Sequence, residues 1–400
     1  MKRLLFYILI SLLFFSCGGN EKSSKHSYYY SVITFFKNDD EYKYTFEQLK
    51  NTINDTLIAV NDKSFKIGRF ENYRTACDKG FELFADKLIP NFDITYKDSV
   101  IKNDYNPLYF VGYDLGRPAL YKTDILEIKP QLIWSKWGRR IMQLHRSQNR
   151  DNFFFTTSLT EDIRGNFPLV MDARLYSFNR KSEQVGLVKY FGRGLNLSAG
   201  WENDSTFAAY FTTLDSVLTS TIIQKKFEYN SDGELQDTSI KKYELLQDGI
   251  PLPLFKYINP VSPNLRYKIA IANNDSTSSL NIIDELNGTN NFIADVKGIL
   301  EENRWSEASE YLFARFRMKG EVDSTELYIV DLREMKLSAY FNGKGEKNFF
   351  IIGNLLIFDN DILEQSYITL YRYKKNQIFS EIKIPGGCGV DKLPGISNLN

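Results

Sequence analysis

Six short apolar runs recur along the chain, and this repetition constrains the fold more than any other feature of the sequence. The runs begin at Leu108, Phe153, Phe207, Tyr267, Tyr311 and Leu355, so that successive starts lie 44 to 60 residues apart. Each run is followed by a second strand-like run, at 119–122, 174–178, 221–224, 280–284, 327–331 and 369–373. A third run follows a turn in the last two repeats, at 336–341 and 378–382. Short strands that repeat with turn residues between them predict the blades of a β-propeller.

The composition agrees with an all-β fold of this size. The 400 residues include 30 Phe, 25 Tyr and 4 Trp, an aromatic content that pleated sheets accommodate better than helices do. A single blade cannot bury both of its faces, so neighbouring blades must stack, and a long chain then needs no single oversized core. We therefore predict an all-β β-propeller in which six blades are favoured and seven are the alternative.

Two of the repeats carry a more specific pattern. Residues 261–267 (VSPNLRY) lead into an apolar strand, and residues 304–311 (RWSEASEY) lead into a second one, which is followed by 326–332 (ELYIVDL). This pattern resembles the repeat of TolB-type propellers, in which a Trp-Ser-Pro-Asp-Gly-like turn precedes an apolar strand and then a Leu-Tyr-x-x-Asp-like strand. The match covers residues 259–341, whereas the first three blades share only the rhythm. The resemblance implies the fold of a six-bladed bacterial lipoprotein, and it implies no activity.

The region before the repeats, residues 28–104, is less regular. Strands are predicted at 28–36, 56–60 and 64–70, and a small helical element at 73–88 ends before Pro90. These strands are expected to complete or flank the propeller, and a separate small domain is the alternative. The blades then occupy residues 105–386, and residues 387–400 form a C-terminal tail.

The first 16 residues predict a signal peptide. Lys2 and Arg3 form a basic start, and the apolar stretch at 4–15 is too short for a membrane-spanning helix, which needs roughly 20 residues. Residues 13–19 (LFFSCGG) resemble the lipobox of bacterial lipoproteins, which implies that Cys17 is acylated and becomes the mature N-terminus. An ordinary secretory signal is the alternative. Residues 17–27 would form a flexible tether, so we expect a folded body in the cell envelope, anchored to a membrane by its lipid.

The two other cysteines, Cys77 and Cys388, allow two interpretations. An oxidising compartment permits a disulfide, and a closed propeller brings the ends of the chain together. Two separate buried thiols are the favoured interpretation, because the sequence does not show how far apart the two residues lie.

The sequence lacks the usual catalytic constellations. His26 and His145 are its two histidines, and no Gly-x-Ser-x-Gly elbow, phosphate loop or His/Cys metal spacing is present. His145 is read as a turn or surface residue. Basic and acidic residues balance at 50 each, so no net positive field attracts nucleic acid. We therefore predict no catalytic residue, no cofactor, no metal and no nucleic-acid partner.

Several local motifs have both a structural and a functional interpretation. Candidate calcium ligands are residues 38–41 (NDDE) and 359–361 (DND) with Glu364, but β-turns are the favoured interpretation of both stretches. Residues 192–194 (GRG) and 230–233 (NSDG) are read as hairpin turns. Core packing is favoured for the tryptophans, which are Trp134, Trp137, Trp201 and Trp305. An exposed aromatic at a binding surface is the alternative for Trp134 and Trp137.

Two functions fit these observations. The preferred one is a non-catalytic binding or scaffolding lipoprotein whose partner is a protein, a peptide or an envelope polymer. The alternative is a propeller enzyme, such as a calcium-dependent hydrolase or lactonase, which would need carboxylates that converge from several blades.

Overall fold

The computed structural model describes most of the chain after residue 28. The described ranges are 29–97, 99–101, 107–114, 117–126, 128–146, 152–159, 161–164, 167–203, 205–215, 220–245, 255, 258–273, 278–306, 308–318, 324–342, 347–362 and 365–384. The chain divides into two compact units. The first comprises Met1–Ala76 and Asp93–Lys102, and the second comprises Cys77–Phe92 and Asn103–Asn400.

The first unit contains one antiparallel sheet. Its strands are β1 (Tyr30–Phe35), β2 (Leu57–Asn61), β3 (Ser64–Phe70), β4 (Asp93–Tyr96) and β5 (Ser99–Ile101), in the order β2-β3-β1-β4-β5. Helix α1 (Asp39–Thr52) connects β1 to β2, and helix α2 (Tyr73–Ala85) connects β3 to β4. This β-α-β-β-α-β connectivity is that of the ferredoxin-like motif and differs from the up-and-down order of a blade. How residues 28–104 contribute to the propeller stays a prediction.

Helix α1 was not predicted from the sequence. Its N-cap is Asn38, whose side chain accepts a hydrogen bond of 2.8 Å from the backbone N–H of Glu41. The candidate calcium stretch at 38–41 is therefore neither a cation loop nor a β-turn, because it caps a helix and supplies the acidic residues that favour a helix N-terminus. The predicted helix at 73–88 is present but shorter. It ends at Ala85, and Lys87 then adopts a left-handed φ of 57°, while the N–H of Leu88 donates to the carbonyl of Leu83.

In the described part of the second unit, six antiparallel sheets follow one another along the chain. The first two contain β6 (Pro107–Asp114), β7 (Arg117–Asp124) and β8 (Gln131–Trp134), then β9 (Arg140–Arg146), β10 (Asn152–Ser158), β11 (Glu161–Arg164), β12 (Phe167–Asn179) and β13 (Gln184–Gly194). The next two contain β14 (Asn196–Trp201), β15 (Phe207–Leu214), β16 (Thr221–Tyr229) and β17 (Leu235–Glu244), then β18 (Tyr267–Asn273), β19 (Ser278–Asp284) and β20 (Thr289–Val296). The last two contain β21 (Gly298–Trp305), β22 (Tyr311–Met318), β23 (Thr325–Asp331) and β24 (Lys336–Phe341), then β25 (Phe349–Ile352), β26 (Leu355–Ile362), β27 (Gln365–Arg372) and β28 (Gln377–Ile384).

The predicted repeats coincide with these sheets. The six first runs lie in β6, β10, β15, β18, β22 and β26, and the six second runs lie in β7, β12, β16, β19, β23 and β27. Each first run is hydrogen-bonded to its second run as an antiparallel neighbour. The predicted third strands at 336–341 and 378–382 are β24 and part of β28. The strand rhythm is confirmed.

The sheets have an inner and an outer edge and pack face to face. Within the third sheet, the first strand β14 is mostly buried, whereas the last strand β17 is exposed along nearly its whole length. Buried apolar clusters join the first sheet to the second, the second to the third, the fourth to the fifth and the fifth to the sixth. Successive small antiparallel sheets that stack through their faces form a β-propeller. Within the described residues the fold is all-β with two helices, and the number of blades stays a prediction.

The C-terminal half of α2 packs on the last sheet. The N–H of Gly353, in the turn between β25 and β26, donates to Asp78 at 3.2 Å, and the guanidinium of Arg372 pairs with Asp86. The rings of Phe84 and Phe379 lie 5.6 Å apart. In the part of the chain that is described, neither helix has the length and apolar character needed to span a membrane.

Candidate functional site

Buried polar residues lie at both ends of the sheets in the second unit. We call the polar end of a sheet the end at which its first-run strand (β6, β10, β15, β18, β22 or β26) finishes. Buried polar residues near this end include Arg139, Thr157, Ser158, Thr212, Glu301, Arg315, Asn348 and Asp359. Buried aromatic residues near the opposite end include Trp201, Phe207, Trp305 and Tyr311. A buried charge requires a partner, and the partners of the buried charges at the polar end are described next.

The densest group of charges lies between the last two sheets. We call it the charge cluster, and it consists of Glu301, Glu302, Arg304, Arg315, Arg317, Asn348 and Asp359. Arg315 and Arg317 alternate along β22 on the same face as Phe313, which contributes to the apolar cluster shared with the last sheet. The arginines therefore extend that apolar interface as a polar layer.

Arg315 is the centre of the cluster. Its guanidinium donates to the side chain of Asn348 and lies 3.7 Å from Glu301 and 3.5 Å from Glu302. The amide of Asn348 in turn donates to Asp359 at 3.4 Å. Arg315 thus connects the inner strand of one sheet to the start of the next sheet. A buried arginine in this position needs these partners, because an unpaired charge there would be costly.

The remaining arginines neutralise the two glutamates. Arg317 Nε donates to Glu301 Oε1 at 2.6 Å, and Arg304 Nε donates to Glu302 Oε1 at 3.0 Å. The other oxygen of Glu301, Oε2, is buried without a hydrogen bond and faces Arg315 at 3.7 Å. The cluster contains three arginines and three acidic residues, so its formal charge is balanced. Each of the two glutamates therefore has a guanidinium partner, which supports a structural role for it.

A bulge in β21 creates this arrangement. The register between β21 and β22 shifts between Leu300 and Glu302, so that Leu300 faces Phe316 while Glu302 already faces Arg315. Glu301 is the extra residue of the bulge, and its side chain reaches the arginines of β22 beside that of Glu302. The cluster was not predicted from the sequence, because this register is not visible in the residue pattern. The one available signal was the pair of arginines at alternate positions in an otherwise apolar strand.

A second polar group lies at the same end of the second sheet. The guanidinium of Arg139 is buried, pairs with the carboxylate of Asp172, and donates to Thr157 Oγ1 at 2.9 Å. Asp172 has a left-handed φ of 52°, and its carboxylate also accepts a hydrogen bond of 3.2 Å from the guanidinium of Arg174. These contacts fix the bulged part of β12. Two residues before Arg139, the side chain of Trp137 is 84% exposed.

A buried glutamate near the polar end of β23 binds tyrosines. Glu326 accepts hydrogen bonds from the hydroxyl of Tyr328 at 2.7 Å and from that of Tyr340 at 2.5 Å. Burial and the neighbouring carboxylate raise the pKa of Tyr340 to about 12. Both phenols therefore remain protonated at neutral pH and act as hydrogen-bond donors.

The sequence-predicted residues are placed as follows. Cys17 and Cys388 lie outside the described residues, and Cys77 is buried in α2. His145 is wrongly read as a turn or surface residue, because it lies in β9 with its ring 5.6 Å from that of Phe207. Among the tryptophans, Trp305 and Trp201 are buried between sheets as predicted.

The prediction for the other two tryptophans is correct for one of them. Trp134 packs against Phe155 and Tyr176, with ring centroids 5.1 and 5.5 Å apart. Core packing is wrong for Trp137, which is the most exposed of the four.

The remaining motifs have structural roles. Residues 230–233 form the predicted hairpin turn between β16 and β17, with Gly233 at a φ of 86°. Residues 192–194 are instead part of β13, where the register with β12 is irregular. Asp359 and Asn360 lie in β26 rather than in a turn, and Glu364 is outside the described residues. Within the described ranges, no group of three or more His, Cys, Asp or Glu side chains is arranged to hold a metal ion.

The TolB-type turn recurs with the same hydrogen bonds in the fourth and fifth sheets. Ser262 Oγ accepts the N–H of Tyr267 at 2.9 Å, and Ser306 Oγ accepts the N–H of Tyr311 at 2.9 Å. The position that is glycine-like in the motif is Leu265 in one turn and Ser309 in the other, with φ values of 60° and 54°. The matching geometry explains the motif as a turn, so it supplies no catalytic group.

The paired aspartates of the motif are also structural. Asp284 ends β19 in the same way that Asp331 ends β23. Asp284 accepts the N–H of Leu286 at 3.1 Å and binds Arg266 at 2.8 Å. Asp331 accepts the N–H of Arg333 at 2.9 Å and binds its guanidinium at 3.2 Å. Each aspartate therefore fixes the turn that follows its strand.

No protein-family model matches the sequence, and no curated protein matches it either. Among solved structures, the chain is similar to TolB from Acinetobacter baumannii, at 12% identity and a TM-score of 0.35, with 71% of this chain and 65% of that chain covered. It is also similar to the β-propeller domain of the Trilobed protease from Pyrococcus furiosus, at 13% identity and a TM-score of 0.26, with 47% and 57% covered. A third similar structure is an oligogalacturonate lyase in complex with manganese, at 10% identity and a TM-score of 0.29, with 71% and 74% covered. At these TM-scores the fold assignment rests on the strand pairing described above.

Proposed function

We propose that this chain is a lipid-anchored β-propeller of the cell envelope that binds a partner without catalysing a reaction. The partner is a protein, a peptide or an envelope polymer, and it contacts the polar ends of the sheets. The observation that carries this proposal is the charge cluster, in which each glutamate is neutralised by arginine. Such a cluster supports recognition through charge-assisted hydrogen bonds, and both of its glutamates already have guanidinium partners.

The exposed residues of the polar ends favour an interface. Trp137 projects into solvent, and the side chains of Arg304 and Arg317 are 29% and 23% exposed at the edge of the charge cluster. Tryptophan and arginine are the residue types that contribute most often to the binding energy of protein interfaces. An exposed tryptophan and partly exposed arginines at the polar ends therefore suit a partner that has both apolar and acidic groups.

Site-specific photocrosslinking in the native envelope tests this proposal. A photoreactive amino acid replaces Trp137 in the full-length chain, and a matched variant carries it at Leu286. Leu286 is 74% exposed and lies in the turn between β19 and β20, at the end opposite to the polar end. We expect one recurrent crosslinked product from position 137 that position 286 does not give.

Two results would contradict the proposal. One is a crosslinking pattern that is the same at positions 137 and 286. The other is turnover of a small ester or lactone by the purified full-length chain that disappears in the Glu302→Gln variant. The second result would favour the propeller enzyme.

The location in the envelope is a separate part of the proposal. It is supported by the basic start, the short apolar stretch and the lipobox-like residues before Cys17. Cells fed with a palmitate analogue are expected to label the wild-type chain and not the Cys17→Ala variant. Equal labelling of the two chains would overturn the assignment of the anchor.

A further inference from the structure

The outer edge of the third sheet is formed by β17, a strand of ten residues that is exposed along nearly its whole length. Ile240 is 59% exposed and Leu235 is 52% exposed. The strand contains no proline, and its register with β16 shifts only at the hairpin end, next to Tyr229. A long, regular and exposed edge can pair with another strand, because its outward N–H and C=O groups have no neighbour in the sheet.

Another long outer strand, β13, differs in this respect. Its register with β12 is interrupted at three places, between Val170 and Asn179 on the partner strand. Such bulges twist an edge and disrupt the regular spacing that a further strand would need. The edge of β17 has no such protection beyond its first residues.

The charges of β17 are complementary to a second copy of the same strand. Asp237 and Lys241 lie on one face, two residues to either side of Ser239. They are about 13 Å apart along the strand, so they do not reach each other. Within the part of the chain that is described, neither side chain forms an ion pair, and Asp237 faces another acidic residue, Glu228, across the sheet.

The backbone permits the register that this complementarity requires. The N–H of Leu245 donates to the carbonyl of Ser220 at 2.8 Å, and in an antiparallel ladder bonded and non-bonded residues alternate. The even-numbered residues Thr238, Ile240 and Lys242 therefore direct their backbone groups outward. Antiparallel pairing of two copies about Ser239 places Thr238 opposite Ile240, so two outward residues face each other.

We propose that β17 is a self-association edge, through which two copies of this chain pair antiparallel about a two-fold axis at Ser239. In this register each Asp237 faces Lys241 of the second copy, and each Thr238 faces Ile240 of the second copy. Two ion pairs form at once, together with backbone hydrogen bonds between the outward residues, as a two-fold axis requires. Pairing of one strand edge buries less area than a standard interface, so the dimer is weak and depends on concentration. This proposal does not depend on the proposed binding function.

Disulfide trapping of the purified full-length chain tests the register. At the two-fold axis, the Cα atoms of the two Ser239 residues are about 4.5 Å apart, which is within reach of a disulfide. The Ser239→Cys variant is therefore expected to form a covalent dimer on mild oxidation. The matched control is Gln236→Cys, because in the same register its two copies lie about 20 Å apart. Gln236 is also exposed on β17, and the native cysteines are present in both variants.

Charge reversal in the Ser239→Cys background tests the contacts. Asp237→Lys or Lys241→Asp alone places like charges opposite each other in both of the symmetry-related pairs. Each single reversal is therefore expected to reduce the yield of the covalent dimer roughly tenfold. The double reversal restores both pairs and is expected to recover the wild-type yield to within about twofold. Recovery by the double variant also shows that the substituted chains fold.

Three results would overturn the proposal. The first is a covalent dimer that forms equally from Ser239→Cys and Gln236→Cys, or from neither above the wild-type level. The second is a yield that the single charge reversals leave unchanged. The third is a covalent dimer whose disulfide involves a native cysteine instead of position 239.

Discussion

At the scale of single residues, Arg315 has the largest energetic role in the charge cluster. It is buried and faces Glu301, Glu302 and Asn348, so its loss leaves acidic groups in a poorly solvated place. We expect Arg315→Met to lower the free energy of unfolding by about 3–5 kcal/mol, as for other broken buried ion pairs. Urea unfolding followed by tryptophan fluorescence measures this change.

The control for this substitution is Arg304→Met. Arg304 binds Glu302 in the same cluster but is 29% exposed, so its removal is expected to cost at most about 1 kcal/mol. Equal effects of the two substitutions would show that burial does not set the strength of these pairs.

A second residue-scale prediction concerns acid stability. The guanidinium of Arg266 binds Asp284 and holds the pKa of that carboxyl below its usual value. A lowered pKa means that the pair stabilises the fold above the unfolded-state pKa of about 3.9, and that this contribution is lost as the pH falls through the folded-state pKa. The Asp284→Asn variant, which retains a capping oxygen, is expected to lose less stability than the wild type between pH 5 and pH 2.

Urea unfolding midpoints of the wild type and the Asp284→Asn variant, measured between pH 5 and pH 2, test this prediction. The exposed Asp295, replaced by Asn, is the control and should preserve the wild-type pH dependence. If the urea midpoint of Asp284→Asn changed with pH as much as that of the wild type, the ion pair between Arg266 and Asp284 would have no part in acid unfolding.

At the scale of elements, helix α2 is fixed to the last sheet by a close approach at Gly353. This residue has a φ of 54°, and an added Cβ would lie 2.9 Å from the carbonyl oxygen of Asp78 and 3.3 Å from the Cβ of Phe81. Gly353→Ala therefore combines backbone strain of about 1–2 kcal/mol with overpacking of about 1–3 kcal/mol. Thermal unfolding of the full chain is the measurement.

Gly288 provides the matched control. Its φ is 64°, but an added Cβ there would have no atom within 4 Å, so Gly288→Ala reports the backbone strain alone. We expect Gly353→Ala to be the more destabilising of the two. An equal loss would contradict the close packing of α2 on the sheet.

The strand elements could be predicted from the sequence because their signal is local. A buried strand such as β23 contains a continuous apolar run at 327–330, and this run is visible in the sequence without reference to the neighbouring strands. Helix α1 has a weaker signal, since its buried residues are Thr45 and Leu49, and its acidic start resembles a turn. Its assignment needed the cap at Asn38, which only the folded backbone reveals.

The charge cluster could not be predicted for a different reason. Its members are far apart in sequence, and the position of Glu301 depends on a bulge in β21. Asn348 meets Arg315 only because two sheets stack. Contacts of this kind are set by register and packing, so no local pattern encodes them.

At the scale of the whole molecule, the two ends of the sheets are expected to have different environments in the cell. The polar ends bear Trp137 and the partly exposed arginines, and the opposite ends bear Leu286 and other turn residues. A bound partner would cover Trp137 and leave Leu286 exposed to solvent.

Hydroxyl-radical footprinting of the full-length chain tests this claim most directly, because the partner need not be identified for the measurement. Oxidation of each residue is compared between intact envelopes and the purified chain. We predict that oxidation of Trp137 falls several-fold in the envelope while that of Leu286 is unchanged. Equal oxidation of Trp137 in the two preparations would contradict a binding role for the polar ends.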